Sequence, residues 1–533
     1  MSVYINEVGY FCGSSKHASA SDCSKITLYK EDGTTVSEYH VTSSSMQDLS
    51  LENTGIVDFT EIAEEGNYYF VDDNGNKSCL FTISREPYNK LADASLKMFY
   101  FQRCGIALQE KHAGKYTHKA CHTANVNYIF DDSESFECCG GWHDAGDFGR
   151  YTTAGAVALA HLLYAYRLWP ENFNHTINIP ESGNGTPDIL NECRYELEWM
   201  LKMQISDGGV YHKCTSMYHA PFVMPEDDNL PFIVTPVTSM ATADFAAVCS
   251  LASEIYEPFD KDFSEKLKSA ALKAADWLEN NPDFLYENPK QCTTGDYGDM
   301  TDIDERFWAA AQLYAISRDE KHLKYICRIL DMKLDLTGMG WMDVSGLGSL
   351  CILSHKDLFP QMIYDQIKCS ITDEADRLVS VSEQNAFEVS MHSFNFKWGS
   401  NMVLLNGAIV LSIANLLTGH KKYMDTVQYQ IDYLLGRNAM DTSYVTGFGD
   451  NAFMNPHNRP TYSDGIDDPI PGFVSGGPNI NHCDDASKKM IPAGAAPMKC
   501  YIDHYGSYST NEITIYWNSP LVFTLAFLNS HCN

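Results

Sequence analysis

The sequence predicts two domains, a small β-sandwich over residues 1–86 and a many-helix domain over residues 87–533. Three observations carry this. Strand-length apolar pieces broken by turn signals fill the first 86 residues, helix-spaced apolar residues take over after Pro87, and no short internal repeat stands out. The missing repeat argues against a solenoid and favours a closed helical barrel. A length of 533 residues also exceeds what one hydrophobic core usually organises.

In the sandwich, strands are expected at Val3–Val8, Lys25–Tyr29, Tyr68–Val71 and Cys79–Ser84, with turns at Asp32-Gly33 and Asp73-Asn74-Gly75. Its length and strand spacing match an immunoglobulin-like module, an architecture that hosts many functions and identifies none. The module is expected to pack on the helical domain and stabilise it. Helices are expected over Leu91–Cys104, Gly155–Leu168, Pro187–Met203, Thr238–Tyr256, Phe263–Leu278 and Glu305–Ile316. Further ones follow at His322–Met332, Asn401–Leu417, Tyr423–Leu435 and Ser519–Leu528. The Gly/Pro-rich stretch Gly447–Pro497 is too long for a connector, so it is expected to line a site.

A formal charge of -32 excludes nucleic acid and anionic membrane as partners, since both repel such a surface. The opening MSVYINEVGYFCGSS has no basic segment or apolar run, and no later stretch reads as long and apolar enough to span a bilayer. The expected address is cytoplasmic, or secreted if a signal peptide has been removed. Seventeen cysteines, odd in number and irregularly spaced, read as mostly reduced and buried thiols. A monomer is favoured.

The motif Trp142-His143-Asp144-Ala145-Gly146-Asp147 carries two carboxylates three residues apart, able to face one side of a helical turn and hold a water between them. Carboxylates near a helix start also serve as caps. Downstream, Asn511-Glu512 lies among Tyr508, Tyr516 and Trp517, a setting that keeps a carboxyl protonated by desolvating its anion. The combination suggests paired-carboxylate hydrolysis of a sugar.

Four blocks extend these motifs: CCGGWHDAGDFGRY (138–151), FKWGSNMVLLN (396–406), SYVTGFGDNAFMNPHNR (443–459) and YIDHYGSYSTNEITIYWNS (501–519). In this order, over about residues 87–533, they resemble glycoside hydrolase family 9, the family of many cellulases and cellodextrinases. The resemblance implies an (α/α)6 barrel, often preceded by an immunoglobulin-like domain, that hydrolyses β-1,4-glucosidic bonds of cellodextrins or other soluble β-glucans with inversion. A secreted endoglucanase on amorphous cellulose, an exo-acting glucosaminidase on chitosan oligomers and a non-catalytic glycan-binding protein are the alternatives, the last opposed by the intact carboxylates.

By the same resemblance, Asp147 looks like the general base, Asp144 like its helper in holding the water, and Glu512 like the general acid. An inverting enzyme sets its carboxyls ~6.5 to 9.5 Å apart and pushes their pKa values in opposite directions. His457 and Arg459 resemble residues that bind sugar hydroxyls, and Trp517 an aromatic that contacts the sugar. Trp142 is a further stacking face, with burial in the core the competing use of both tryptophans.

Cys104, Cys121, His122 and His143 offer two thiolates and two imidazoles, the ligand set of a closed tetrahedral zinc site. They resemble the zinc site of some family members, where the metal would anchor the loop bearing Asp144 and Asp147. Asp304-Glu305, in TDIDERFWAAAQLY, resembles a helix-start pair that contributes to calcium binding. Such a pair also complements the helix dipole, and Asp299 and Asp302 are nearby alternatives.

Overall fold

The computed structural model describes residues 3–282 and 284–532. Two compact units emerge: one gathers the chain up to Met98, Glu374–Ile513 and the segment from Pro520, the other Phe99–Asp373 and Thr514–Ser519.

The first unit contains the sandwich. Its strands are β1 (Val3–Tyr4), β2 (Gly9–Phe11), β3 (His17–Ser21), β4 (Lys25–Lys30), β5 (Thr35–His40), β6 (Thr42–Gln47), β7 (Glu52–Asp58), β8 (Gly66–Asp72) and β9 (Phe81–Ser84). They form a four-stranded sheet, β1-β3-β7-β6, and a five-stranded sheet, β2-β9-β8-β4-β5. Alternate residues such as Ile26, Leu28, Phe70, Phe81 and Ile83 meet in the core.

Val3–Val8, expected as one strand, is instead a sheet switch. β1 pairs antiparallel with β3, whereas β2 pairs parallel with β9. The Asn6 side chain turns the chain between them by accepting hydrogen bonds from the Val8 and Gly9 amides at 3.0 and 3.1 Å. Gly9 has φ 138°, and a Cβ there would sit 2.3 Å from the Thr82 carbonyl oxygen.

The same unit joins the sandwich to helical segments through buried polar contacts. Asn6 donates to Asp432 at 2.9 Å and Ser19 to the Ala386 carbonyl at 2.7 Å. His17, stacked on Tyr429, lies 2.8 Å from Glu388, which also accepts from the fully buried Arg437 at 2.5 Å. Helices Ser400–Thr418 and Lys421–Leu434 form a hairpin whose turn is closed by left-handed Gly419, its amide bonded to the Asn415 carbonyl at 2.7 Å. Ser400–Thr418 corrects the expectation that no segment has the length and apolarity of a membrane span, for it has both. Over half of it is buried, and Asn401 bonds the Ser475 carbonyl, so these apolar side chains serve the protein core.

The second unit is built around Ser239–Tyr256, a helix buried on nearly all sides, packed by Thr152–Leu168, Lys261–Asn280 and Ile303–Ser317. Ser345–Ser354 and Gln361–Ser382 are helices the sequence reading omitted. In the first, Gly348 permits contact with Phe307, whose ring would lie 2.7 Å from any Cβ. The strand pattern also continues past Pro87, against expectation. A five-stranded sheet runs Asp131–Phe136, Val126–Tyr128, Phe232–Val234, Lys213–Ser216, Arg150–Tyr151. Its strands are too short and too polar to announce themselves. All seventeen cysteines are free thiols.

Burial pushes the Glu388 carboxyl up, but Arg437 and His17 outweigh it and hold the group below its ordinary value. Its stabilising contribution is therefore present at neutral pH and lost as pH falls through the folded-state value. Glu388→Ala strands the buried guanidinium and is expected to destabilise the protein by about 3–5 kcal/mol in urea unfolding at pH 7.

Candidate active site

Asp144 and Asp147 lie on an irregular loop, not on a helical turn. The helix that follows starts at Thr152 without a side-chain cap, so helix capping does not explain either carboxylate. The loop is clamped from several sides. Gln102 donates to the His143 and Ala145 carbonyls, both at 2.9 Å, and accepts the His143 amide on its own carbonyl at 2.7 Å. Arg150 ties back to the Cys138 and Gly140 carbonyls at 2.6 and 2.7 Å. Gly141 has φ 76° and passes so close to Trp199 that a Cβ would sit 2.7 Å from its ring.

Trp142 offers no face to a sugar. It is 1% exposed, its indole donates to Glu192 at 2.9 Å, its amide donates to Glu196 at 2.6 Å, and Phe99 packs on its ring. Glu192 in turn chelates the buried Arg103 with two hydrogen bonds of 2.8 Å. Trp517 is likewise buried, edge-on to Tyr516. For both tryptophans the core use prevails.

Asp144 is buried, with its amide bonded to the Gly149 carbonyl and its carbonyl accepting the Ile515 amide at 2.8 Å. Tyr297 donates to its Oδ2 at 2.5 Å, while Oδ1 is buried with no hydrogen-bond partner among the described residues. Burial, reinforced by the charge of Asp147 and opposed by the Tyr297 hydrogen bond, pushes Asp144 to about 8. At neutral pH the Asp144 carboxyl therefore favours its protonated form. Asp147 has His219 Nδ1 3.0 Å from its Oδ2. Neither Tyr297 nor His219 was anticipated. Each comes from a distant loop, and no local pattern marks it.

Glu512 is partly exposed and is placed by backbone bonds within its own unit. The Gly476 amide donates to its carbonyl at 2.9 Å, and the His457 amide donates to the Asn511 carbonyl at 2.8 Å, forming a short bridge between His457 and Glu512. The Gly447–Pro497 stretch therefore flanks Glu512 twice. Asp503, absent from the sequence reading, accepts the Met454 and Asn455 amides at 2.7 and 2.8 Å and the Asn511 amide group at 2.8 Å. His457 has its ring fixed by the Tyr505 carbonyl at 2.6 Å, while Arg459 is buried at the start of a short helix capped by Asn458.

Cys104, Cys121, His122 and His143 converge, with one ligand atom from each lying within 4.8 Å of the others. His143 Nε2 and His122 Nδ1 are 3.3 Å apart, and Cys104 Sγ lies 3.9 Å from the same His122 nitrogen. Four soft donors this close, three of them fully buried, fit a tetrahedral cation. The far nitrogen of His122 meets the buried Asp228 at 3.2 Å, a contact that turns Nδ1 toward the other three.

A second cluster joins Asp299, Asp304 and Glu305. Asp302, the other alternative, lies outside this cluster and accepts from Arg306 at 2.8 Å. Asp244, fully buried, has no partner for either carboxylate oxygen among the described residues, and its charge and that of Asp304 act on Glu305. Burial first, then these neighbours, raise Glu305 well above its usual range. Oxygen ligands so placed fit a hard cation.

The profile of glycosyl hydrolase family 9 matches residues 88–525, and that of the cellulase N-terminal ig-like domain matches residues 1–77. The chain belongs to glycosyl hydrolase family 9. An immunoglobulin-like sandwich followed by an (α/α)6 barrel is accordingly its fold. Among family 9 relatives, a cellodextrinase of Butyrivibrio fibrisolvens is 42% identical over 98% of this chain and 99% of its own length. Endoglucanase D of Acetivibrio thermocellus is 32% identical over 99% of this chain and 83% of its own length. The structure of AaCel9A in complex with cellobiose-like isofagomine superposes with a TM-score of 0.94 at 34% identity, covering 99% of this chain and 100% of that one.

Because the folded Asp144 value lies above the unfolded one, native protein binds a proton that the unfolded chain lacks between about pH 4 and 8, and stability falls as pH rises through that window. Asp144→Asn removes the ionisation. Urea unfolding is expected to show the variant more stable than wild type at pH 8 by roughly 1–3 kcal/mol, with the difference shrinking toward pH 5.

Proposed function

We propose that this family 9 enzyme hydrolyses β-1,4-glucosidic bonds of cellodextrins and other soluble β-glucans with inversion. The observation that carries the reading is the full-length match to a cellodextrinase together with a buried Asp144 braced beside Asp147. Asp147 is the base that takes a proton from the attacking water. Asp144, with one oxygen on Tyr297 and the other without a hydrogen-bond partner among the described residues, holds that water. Glu512 is the acid that protonates the departing glycosidic oxygen, and His457 and Arg459 bind sugar hydroxyls. Protonation at one face and water activation at the other make an oxocarbenium-like transition state accessible.

Cys104, Cys121, His122 and His143 would hold zinc, which when bound would cross-link the loop that leads into Asp144. Asp299, Asp304 and Glu305 would hold calcium at the start of the helix Ile303–Ser317. The free thiols support a reducing compartment as the place of action.

Glu512→Gln is expected to lower kcat on cellotetraose by about 10²–10⁴-fold with a far smaller change in KM. A proton NMR time course on wild type should show the α-anomer of the new reducing end first, and β-anomer first would sink inversion. Elemental analysis should find stoichiometric zinc in protein purified without chelator, and Asp228→Ala should weaken zinc retention about 10–100-fold in a chelator competition.

A further inference from the structure

Tyr297 reaches Asp144 from a backbone conformation that resists it. Its φ is 52°, in the left-handed region that a bulky side chain rarely adopts, so the loop around it has to hold it there. That loop converges on one ammonium, that of Lys213. The Gly295 carbonyl lies 2.6 Å from its Nζ, the Asn288 side-chain oxygen 2.7 Å, and the Thr294 hydroxyl and carbonyl 3.2 and 3.3 Å. The neighbouring His212 takes the next residue along, with its Nε2 3.1 Å from the Asp296 carbonyl and its ring stacked on Tyr286 at 3.8 Å.

Lys213 is fully buried, a setting that lysine rarely takes and that is costly unless its donors are accepted. The four oxygens around its ammonium all come from the loop that runs into Tyr297. Its backbone belongs to the strand Lys213–Ser216, which pairs with Arg150–Tyr151 just after the loop bearing Asp144 and Asp147. One side chain therefore ties the strand beside the two carboxylates to the loop that brings the Tyr297 hydroxyl to Asp144 at 2.5 Å. The phenol also meets Tyr151, Trp341 and Tyr516, but those contacts act on the ring, whereas Lys213 and His212 act on the chain behind it.

We propose that Lys213 is a positioning residue of the hydrolytic reaction: its grip on Asn288, Thr294 and Gly295 holds Tyr297 where its hydroxyl meets Asp144. The proposal rests on the hydrolase reading above. A lysine that only completed the core would alter folding and leave the reacting geometry alone. One that acts through Tyr297 alters the chemical step, and only as far as Tyr297 itself does.

The test is a double-mutant cycle on full-length protein, reading kcat and KM on cellotetraose. Lys213→Met, which keeps the length of the side chain, is expected to lower kcat about 10–100-fold with a far smaller change in KM. Combined with Tyr297→Phe it should cost little beyond Tyr297→Phe alone. Asn288→Ala removes one acceptor of a half-buried residue and leaves the ammonium three others, so it serves if Lys213→Met does not fold. It should lower kcat by roughly threefold, and that loss should likewise vanish in the Tyr297→Phe background. Losses that multiply independently in the double variants would overturn the proposal, as would an unchanged kcat or a loss confined to KM. Wild type inactive on cellotetraose and on other β-glucans defeats the hydrolase reading itself, and the positioning role falls with it.

Discussion

Asp144 is held out of water with only a phenol on one oxygen, and the surrounding structure exists to keep it there. Among the described residues no cation acts on it, and burial raises the carboxyl to about 8. A group under that pressure would escape to solvent if its backbone yielded. The backbone does not yield because its amide and carbonyl are both bonded, to Gly149 and Ile515, and because Gln102 clamps the carbonyls on either side. Behind that clamp Trp142 is pinned by two glutamates, one of them committed to Arg103. The four candidate zinc ligands belong to the same support, since His143 directly precedes Asp144.

The first unit reaches rigidity by other means. Glu512 owes its place to main-chain bonds from loop residues rather than to a packed helix face, and those loops are held by Asp503 and Asn511. The sandwich contributes as well. Glu7 accepts the Asn451 amide at 2.7 Å, so a strand-switch residue of the module restrains the loop leading to His457. Within this unit buried side chains, not a linker alone, join the sandwich to helical segments.

Much of this was legible in the sequence. The helices with apolar residues on one face were found to within a few residues, and so were the central strands of the five-stranded sandwich sheet. Gln361–Ser382 was missed although Ile363, Ile367, Ile371 and Ala375 keep a four-residue spacing and are buried. Ser345–Ser354 was hidden by glycines that serve close packing. In the sequence, Asp144, Asp147 and Glu512 stood out because motifs name them, and the four zinc candidates through the family resemblance, since the residues alone read equally as separate buried thiols. Tyr297, His219, Asp228 and Asp503 were invisible, for each acts across the fold and is an ordinary residue in its local stretch. Trp142 misled because an aromatic next to a reactive carboxylate fits a groove and a core equally well until its burial is known.

The confined carboxyls also decide how the whole protein responds to pH. Glu196, pushed to about 8 chiefly by burial, and Glu7, raised to about 7 for the same reason, share the sign of Asp144. Each binds a proton in the folded state that the unfolded chain has already released, so each weakens the fold as pH rises from about 4 toward its own value. Glu388 works oppositely, and its contribution is lost only in acid. A net charge of -32 adds self-repulsion on the alkaline side. These carboxyl and charge terms favour mildly acid over alkaline conditions, and they are opposed further into acid by His161 and His212, each lowered to about 3 chiefly by burial.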